Sequence, residues 1–243
     1  MTKPWIAFHR PRPEARLRLF CLPYAGGGAL VYRGWSELLP AEIEVCPVEL
    51  PGRGGRIRET SHRRMAPLID EMAVAVAPLT DKPWAVFGHS MGSVTGWELA
   101  RRLMTLTHTE PVKMIASARR PPQSEPEKDP IHDLPDDELT EEIRALEGTP
   151  EEVLEHPELM KLMLPLLRAD FELNFTYRPL AGPQLSRPLT ALGGLEDRET
   201  TNEILEGWRE ATTGPFKLRM LPGGHFFVHD DLTPMVVAEE LLR

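Results

Sequence analysis

Residues 84–103 read WAVFGHSMGSVTGWELARRL. A short apolar run, a serine between two glycines, and apolar residues at helical spacing follow one another without a linker. That succession limits the fold more than any other stretch. A buried strand feeding straight into a helix is the repeating unit of a parallel sheet covered by helices. The turn itself, Gly88-His89-Ser90-Met91-Gly92, has the form G-x-S-x-G. Between a strand and a helix, such a turn forces its central residue into a strained conformation and projects the Ser90 hydroxyl, while the glycines let neighbouring backbone approach. A plain polar turn is the alternative, and the rest of the chain decides between them.

Other segments repeat the same rhythm. Strands are expected at 16–22, 44–49, 84–87, 113–117, 189–192 and 216–221, and helices at 32–39, 65–79, 94–106, 201–211 and 235–242. No hairpin signal separates them, which implies a mostly parallel sheet with helices on both faces. The rhythm breaks from 120 to 178, where prolines, acidic clusters and helical patterns at 138–146, 151–154 and 157–175 carry no strand signal. Pro165 is expected to kink or split the last of these. The expectation is one α/β domain over residues 1–243 with a helical insertion at 120–178, too long for an ordinary loop.

In a parallel α/β sheet, ligands collect at the carboxyl ends of the strands. Four loops fall there: 23–28, 88–92, 193–198 and 222–229. A serine hydroxyl needs a base to take its proton and an acid to orient that base, in the chain order serine, acid, histidine for this topology. The last strand, FKLRMLP, opens into Gly223-Gly224-His225, and LTALGG leads to Asp197. His229 competes with His225 for the base, and Glu196 and Glu199 compete with Asp197 for the acid. A metal held by His225 and His229 is disfavoured, because HFFVH lacks a zinc-protease glutamate and starts in a glycine loop. His89, beside the serine, points elsewhere and reads as a packed support. The run Tyr24-Ala25-Gly26-Gly27-Gly28 lacks the G-x-G-x-x-G spacing of a dinucleotide site. It reads instead as an oxyanion loop, with the Met91 N–H as the partner donor.

A net charge of −9 argues against nucleic acid as a main partner. No apolar run approaches the roughly 18 residues that cross a bilayer. The N-terminal stretch, interrupted by Pro4, Pro11 and Pro13, has no signal-like apolar core, so the cytoplasm is the expected compartment. Cys21 and Cys46 sit in strand-like segments and read as buried reduced thiols, without metal-ligand spacing.

Taken together, LPYAGGGALVYRGWSELLP, VELPGRGGR, FGHSMGSVTGWELARRL, LTALGGLEDRE and LPGGHFF resemble the type II thioesterases. These are discrete α/β-hydrolase-fold enzymes that accompany modular polyketide synthases and non-ribosomal peptide synthetases. The resemblance covers nearly the whole chain, including the lid-like residues 133–177. It implies an α/β-hydrolase fold and hydrolysis of acyl thioesters on the phosphopantetheine arm of acyl or peptidyl carrier proteins, clearing stalled or misloaded groups. It further implies a transient carrier-protein partner, a monomer, and no cofactor or metal. Position by position, it puts the nucleophile on Ser90, the acid on Asp197, the base on His225 and the oxyanion donors on the backbones of Ala25 and Met91.

The alternatives are an acyl-CoA or small-ester hydrolase, a product-releasing thioesterase of the same fold, and, from another class, a non-catalytic binding module. Three positions depart from the family pattern: Ser93 where glycine or alanine is frequent, Ala118 where glycine is usual, and Arg198 where proline commonly follows the acid. They bear on acyl preference. The insertion is expected to act as a mobile lid over an acyl chamber. The basic run Arg53, Arg56, Arg58, Arg63 and Arg64 is either a solvated face or a docking surface for an acidic carrier protein.

Overall fold

Six apolar segments pair into one all-parallel sheet: β1 (Leu17–Leu22), β2 (Ile43–Pro47), β3 (Trp84–His89), β4 (Lys113–Ser117), β5 (Leu189–Gly194) and β6 (Phe216–Leu221). The computed structural model describes residues 4–125, 129–146, 148 and 151–242. Side-chain alternation explains why the strands read as continuous apolar runs. In β1, Phe20 and Leu22 pack on one face while Leu19 and Cys21 pack on the other, and both faces are covered. Helices α2 (Met65–Val76) and α3 (Met91–Thr107) cover the first face through Leu68, Met72, Val94 and Leu99. Helices α1 (Trp35–Leu38) and α8 (Leu232–Leu242) cover the second through Trp35, Val236 and Val237.

Between β4 and β5 the chain leaves the sheet and forms α4 (Asp136–Ala145), α5 (Glu151–Leu154) and α6 (Pro157–Thr176). These helices share a small apolar cluster of their own, including Leu139, Ile143, Leu154, Leu164 and Leu167. Pro165 does not split α6, which runs through it. The carbonyl that loses its partner belongs to Lys161, and Lys161 and Pro165 are both exposed, so water can satisfy it. Helix α7 (Asn202–Glu206) follows β5 and continues as a tighter turn over Gly207–Ala211. Among the described residues, no helix is long and apolar enough to cross a membrane.

The strand order is β2-β1-β3-β4-β5-β6, so the direction of winding reverses between β1 and β3. The crevice beyond the carboxyl ends of those two strands is where such sheets place their ligands. There the loop after β1 faces the turn after β3.

Candidate active site

The turn after β3 has no residue to spare. Strand β3 ends at His89 and α3 begins at Met91, leaving Ser90 alone at the junction with φ 52° and ψ −118°. A positive φ at a non-glycine residue costs of order 1 kcal/mol or more. The surrounding packing enforces it. A Cβ on Gly88 would lie 1.9 Å from the Gly92 carbonyl oxygen, and one on Gly92 would lie 2.1 Å from that of Leu22. Ser90 N–H donates to the Ser117 carbonyl at 2.8 Å, tying the junction to the end of β4. Ser90 is half-buried, whereas all of 91–100 is buried.

Asp197 and His225 meet directly, although 28 positions separate them. His225 Nδ1 donates to Asp197 Oδ2 at 2.8 Å. The same oxygen accepts the Thr200 hydroxyl at 2.6 Å, and Oδ1 accepts the Glu199 and Thr200 amides at 2.9 and 3.3 Å. Burial alone would raise the Asp197 pKa, but the hydrogen bonds from His225 and Thr200 outweigh it and hold the carboxyl well below the usual range. Asp197 is therefore ionised and can only accept, so the proton in this contact sits on His225 Nδ1, and Nε2 is the ring nitrogen left free of the acid. The competing groups lie elsewhere. Glu196 and Glu199 are exposed, and the exposed His229 contacts the Tyr24 hydroxyl at 3.1 Å through Nε2.

His89 links this pair to the serine turn. Its Nε2 donates to the His225 carbonyl at 2.9 Å, and its Nδ1 accepts from the Ser117 hydroxyl at 2.9 Å. A carbonyl can only accept, which fixes the tautomer. Complete burial, with His225 nearby, holds His89 well below the usual histidine range, so it is a neutral strut. Ser90 itself has no hydrogen bond to the His225 ring among the described residues. Contacts of that kind are often long without substrate and tighten when it binds.

Across the crevice lies the loop Pro23–Gly28. The backbone amides of Ala25 and Met91 have no protein acceptor among the described residues, while Gly26 and Gly27 donate to Asp170 and to the Tyr24 carbonyl. The Met91 amide opens α3, where unpaired N–H groups favour negative charge. Two small pockets flank the site. One, of about 110 Å³, lies between Tyr24, Ala25 and Gly26 and the insertion residues Val153, Met163 and Leu167. The other, of about 260 Å³, lies beside His225, Phe226 and Leu146. Both are roofed in part by the insertion.

One sequence reading changes here. The basic run is not one exposed face. Arg53 and Arg56 are buried, Arg53 pairing with Asp170 and Arg56 with Glu59, while Arg63 and Arg64 pair with Glu172 of α6. Only Arg58 of the five is left exposed without a described ion pair. Thr200 and Asp170, both in contact with the site, went unnoticed. Thr200 stands three residues after Asp197, a spacing that suits a local side-chain hydrogen bond, but Asp170 gives no such signal.

The ligand atoms of His9, Glu44 and Cys46 lie within 4.8 Å of one another, on and beside the edge strand β2. They do not suit a cation. Glu44 already pairs with Arg18 and Lys82, and burial pushes the Cys46 thiol up to about 12.

A parallel sheet in this order, a strained serine between strand and helix, an acid–histidine contact after the next strands and a helical insertion after β4 define an α/β-hydrolase-fold protein. The sequence model of the thioesterase domain matches residues 17–240, and the chain belongs to that family. It is 40% identical over 232 residues to the gramicidin S biosynthesis protein GrsT of Aneurinibacillus migulanus, covering 96% of this chain and 91% of GrsT. Among solved structures, it matches RedJ, the thioesterase of the prodiginine pathway in Streptomyces coelicolor. That match has a TM-score of 0.87 at 38% identity, over 95% of this chain and 88% of RedJ. BorB, the type II thioesterase of the borrelidin cluster, matches with a TM-score of 0.83 at 36% identity, over 99% of this chain and all 100% of BorB. The resemblance to type II thioesterases seen in the sequence is thereby borne out.

Proposed function

We propose that this protein removes stalled or wrongly loaded acyl groups from the phosphopantetheine arm of carrier proteins in a polyketide or non-ribosomal peptide synthase. It would do so as a serine hydrolase with Ser90, His225 and Asp197 as its triad. The observation that carries this reading is the 2.8 Å Asp197–His225 contact beside a serine held at φ 52°. Thioesterase family membership narrows the bond cleaved, and the pathways named for GrsT, RedJ and BorB narrow the substrate to carrier-borne acyl groups.

In this reading His225 Nε2 takes the Ser90 proton as Oγ attacks the thioester carbonyl carbon. The amides of Ala25 and Met91 hold the oxyanion, each contributing roughly 3 kcal/mol to the transition state. When the intermediate collapses, the carbon–sulfur bond breaks and the imidazolium returns its proton to the leaving sulfur. His225 then deprotonates a water that attacks the acyl-enzyme, and the proton goes back to Ser90 Oγ as the acid departs. Asp197 stays ionised throughout and stabilises the imidazolium. Every proton is accounted for by these groups, so no cofactor enters. Residues 120–178 act as a lid over the acyl chain, with Val153, Met163 and Leu167 against it. The carrier protein binds transiently to a cytoplasmic monomer.

A matched panel of acyl-carrier, acyl-CoA and acyl-pantetheine thioesters, over a range of chain lengths, tests the reading. Ser90→Ala is expected to lower turnover by roughly 10⁴-fold or more. Wild-type kcat/KM should favour the carrier-bound substrate by about tenfold or more over the same acyl group on CoA, reflecting binding to the carrier itself. Equal rates on CoA would assign the protein to small-molecule hydrolysis, and a fully active Ser90→Ala variant would remove the triad.

A further inference from the structure

The loop that carries the Ala25 amide is held in place by a residue of the helical insertion. Gly26 N–H donates to Asp170 Oδ2 at 2.7 Å, and Asp170 belongs to α6. The same carboxylate binds Arg53 at both ends: Nη1 donates to Oδ2 at 2.9 Å and Nη2 to Oδ1 at 2.7 Å. Arg53 Nη1 also donates to the Gly27 carbonyl at 2.8 Å. Both side chains are almost fully buried, at 5% exposure for Arg53 and 2% for Asp170.

These contacts reach the Ala25 amide through peptide geometry. Gly27 N–H donates to the Tyr24 carbonyl at 3.0 Å. That carbonyl shares a planar, trans peptide with the Ala25 N–H, which must point the opposite way. Gly26 and Gly27 thus hold the peptide bearing the Ala25 amide, and Asp170 and Arg53 in turn hold Gly26 and Gly27. Three and seven residues before Asp170, on the same side of α6, Leu167 and Met163 line the pocket over Tyr24, Ala25 and Gly26.

We infer that Arg53 and Asp170 are positioning residues, which make the direction of the Ala25 amide depend on α6 being seated. The inference rests on the proposed role of Ala25 as an oxyanion donor. The same helix that touches the acyl group then completes the site that attacks it. An acyl chain that displaces α6 loses transition-state stabilisation as well as contact area.

A buried ion pair that merely fastens the insertion would use the same two residues, so the test separates anchoring from positioning. Removing one partner of a buried pair is destabilising, whereas replacing both with apolar residues of similar size is often neutral. The variant R53M/D170L therefore keeps the packing but leaves Gly26 N–H without an acceptor. D170N keeps an oxygen for Gly26 but weakens the grip on Arg53 and takes away its counter-charge, so its kcat is read at a temperature where its melting curve shows it folded.

The expected result for R53M/D170L is a melting temperature close to wild type and a kcat lower by roughly 10²-fold, as for a misplaced donor. Its Kd for a non-cleavable pantetheine thioether should stay within about threefold, since ground-state binding does not use the oxyanion donors. D170N should recover about tenfold or more of the lost kcat. Hydrogen exchange at the Gly26 amide should accelerate in R53M/D170L and stay slow in D170N. If the double variant fails to fold, R53K reports instead. It keeps the charge but loses the bidentate grip, and should lower kcat without changing the thioether Kd.

Wild-type kcat in R53M/D170L, or unchanged Gly26 exchange, would overturn the inference, as would a loss of kcat matched by an equal loss of thioether affinity. The exchange measurement needs no turnover. A wild-type protein inactive on every thioester would therefore count against the proposed function, and Gly26 exchange would still decide the positioning role.

Discussion

Ser93 shows how far a single residue can be read from sequence. As a departure from the family pattern, it bore on acyl preference. In the fold it is fully buried behind the serine turn and faces backbone. Its hydroxyl lies 2.8 Å from both the Gly88 and Ser117 carbonyls and accepts the Ser117 N–H at 2.9 Å. One proton serves one carbonyl at a time, so the group is a rivet between the ends of β3 and β4. The prediction concerns stability rather than selectivity. Ser93→Ala deletes the hydrogen bonds of a buried hydroxyl and should cost about 1 kcal/mol in urea unfolding, with relative rates across acyl chain lengths unchanged. Ala118 is a second departure with a backbone meaning. It occupies φ 49°, the left-handed region that glycine adopts without strain.

At the level of elements, α8 is seated on the sheet by one carboxylate. Glu240 pairs with Lys113, Lys217 and Arg219 and accepts the Thr190 hydroxyl at 3.0 Å, so it joins α8 to β4, β5 and β6. Burial would raise its pKa, but the three cations bring it down to about 2 from an ordinary value of 4.5. Because the folded value lies below the unfolded one, the stabilisation is fully present above about pH 4.5 and is lost as pH falls toward 2. Lys217 and Arg219 reach solvent, so the contribution at neutral pH is about 2 kcal/mol rather than the full shift. Glu240→Gln should lower stability by that amount at pH 7 and flatten the fall of unfolding free energy with acid. Parallel acid slopes for the two proteins would remove Glu240 from the account. Strands β4 and β5 were legible because parallel strands buried on both faces read as apolar runs, whereas the edge strand β6 shows itself by alternation, with Phe216, Leu218 and Met220 between Lys217 and Arg219. The insertion was legible as helices but not in its contacts. Asp170 meets Arg53 across 117 positions, a pairing that no local pattern encodes.

For the molecule as a whole, the winding reversal between β1 and β3 brings the Ala25 loop and the serine turn together, and the loops after β5 and β6 bring in Asp197 and His225. The order of serine, acid and histidine was readable because it follows from that topology. The electrostatics of docking were not, because a charge run shows no partners. With Arg53, Arg56, Arg63 and Arg64 paired to acids of this chain, the run offers an acidic carrier protein little free positive charge. The chain's own net charge of −9 repels such a partner at long range. Salt screens that repulsion over a Debye length of about 10 Å at 0.1 M. If docking used an exposed basic face, kcat/KM on an acyl-carrier substrate would fall steeply with ionic strength. The paired run predicts the opposite sign: kcat/KM should hold level or rise by up to about threefold between roughly 0.05 and 0.5 M salt. The acyl-pantetheine control should not respond. A tenfold fall on the carrier substrate alone would show that a basic surface outside this run receives the carrier, and alanine substitutions at the remaining exposed arginines would then locate it.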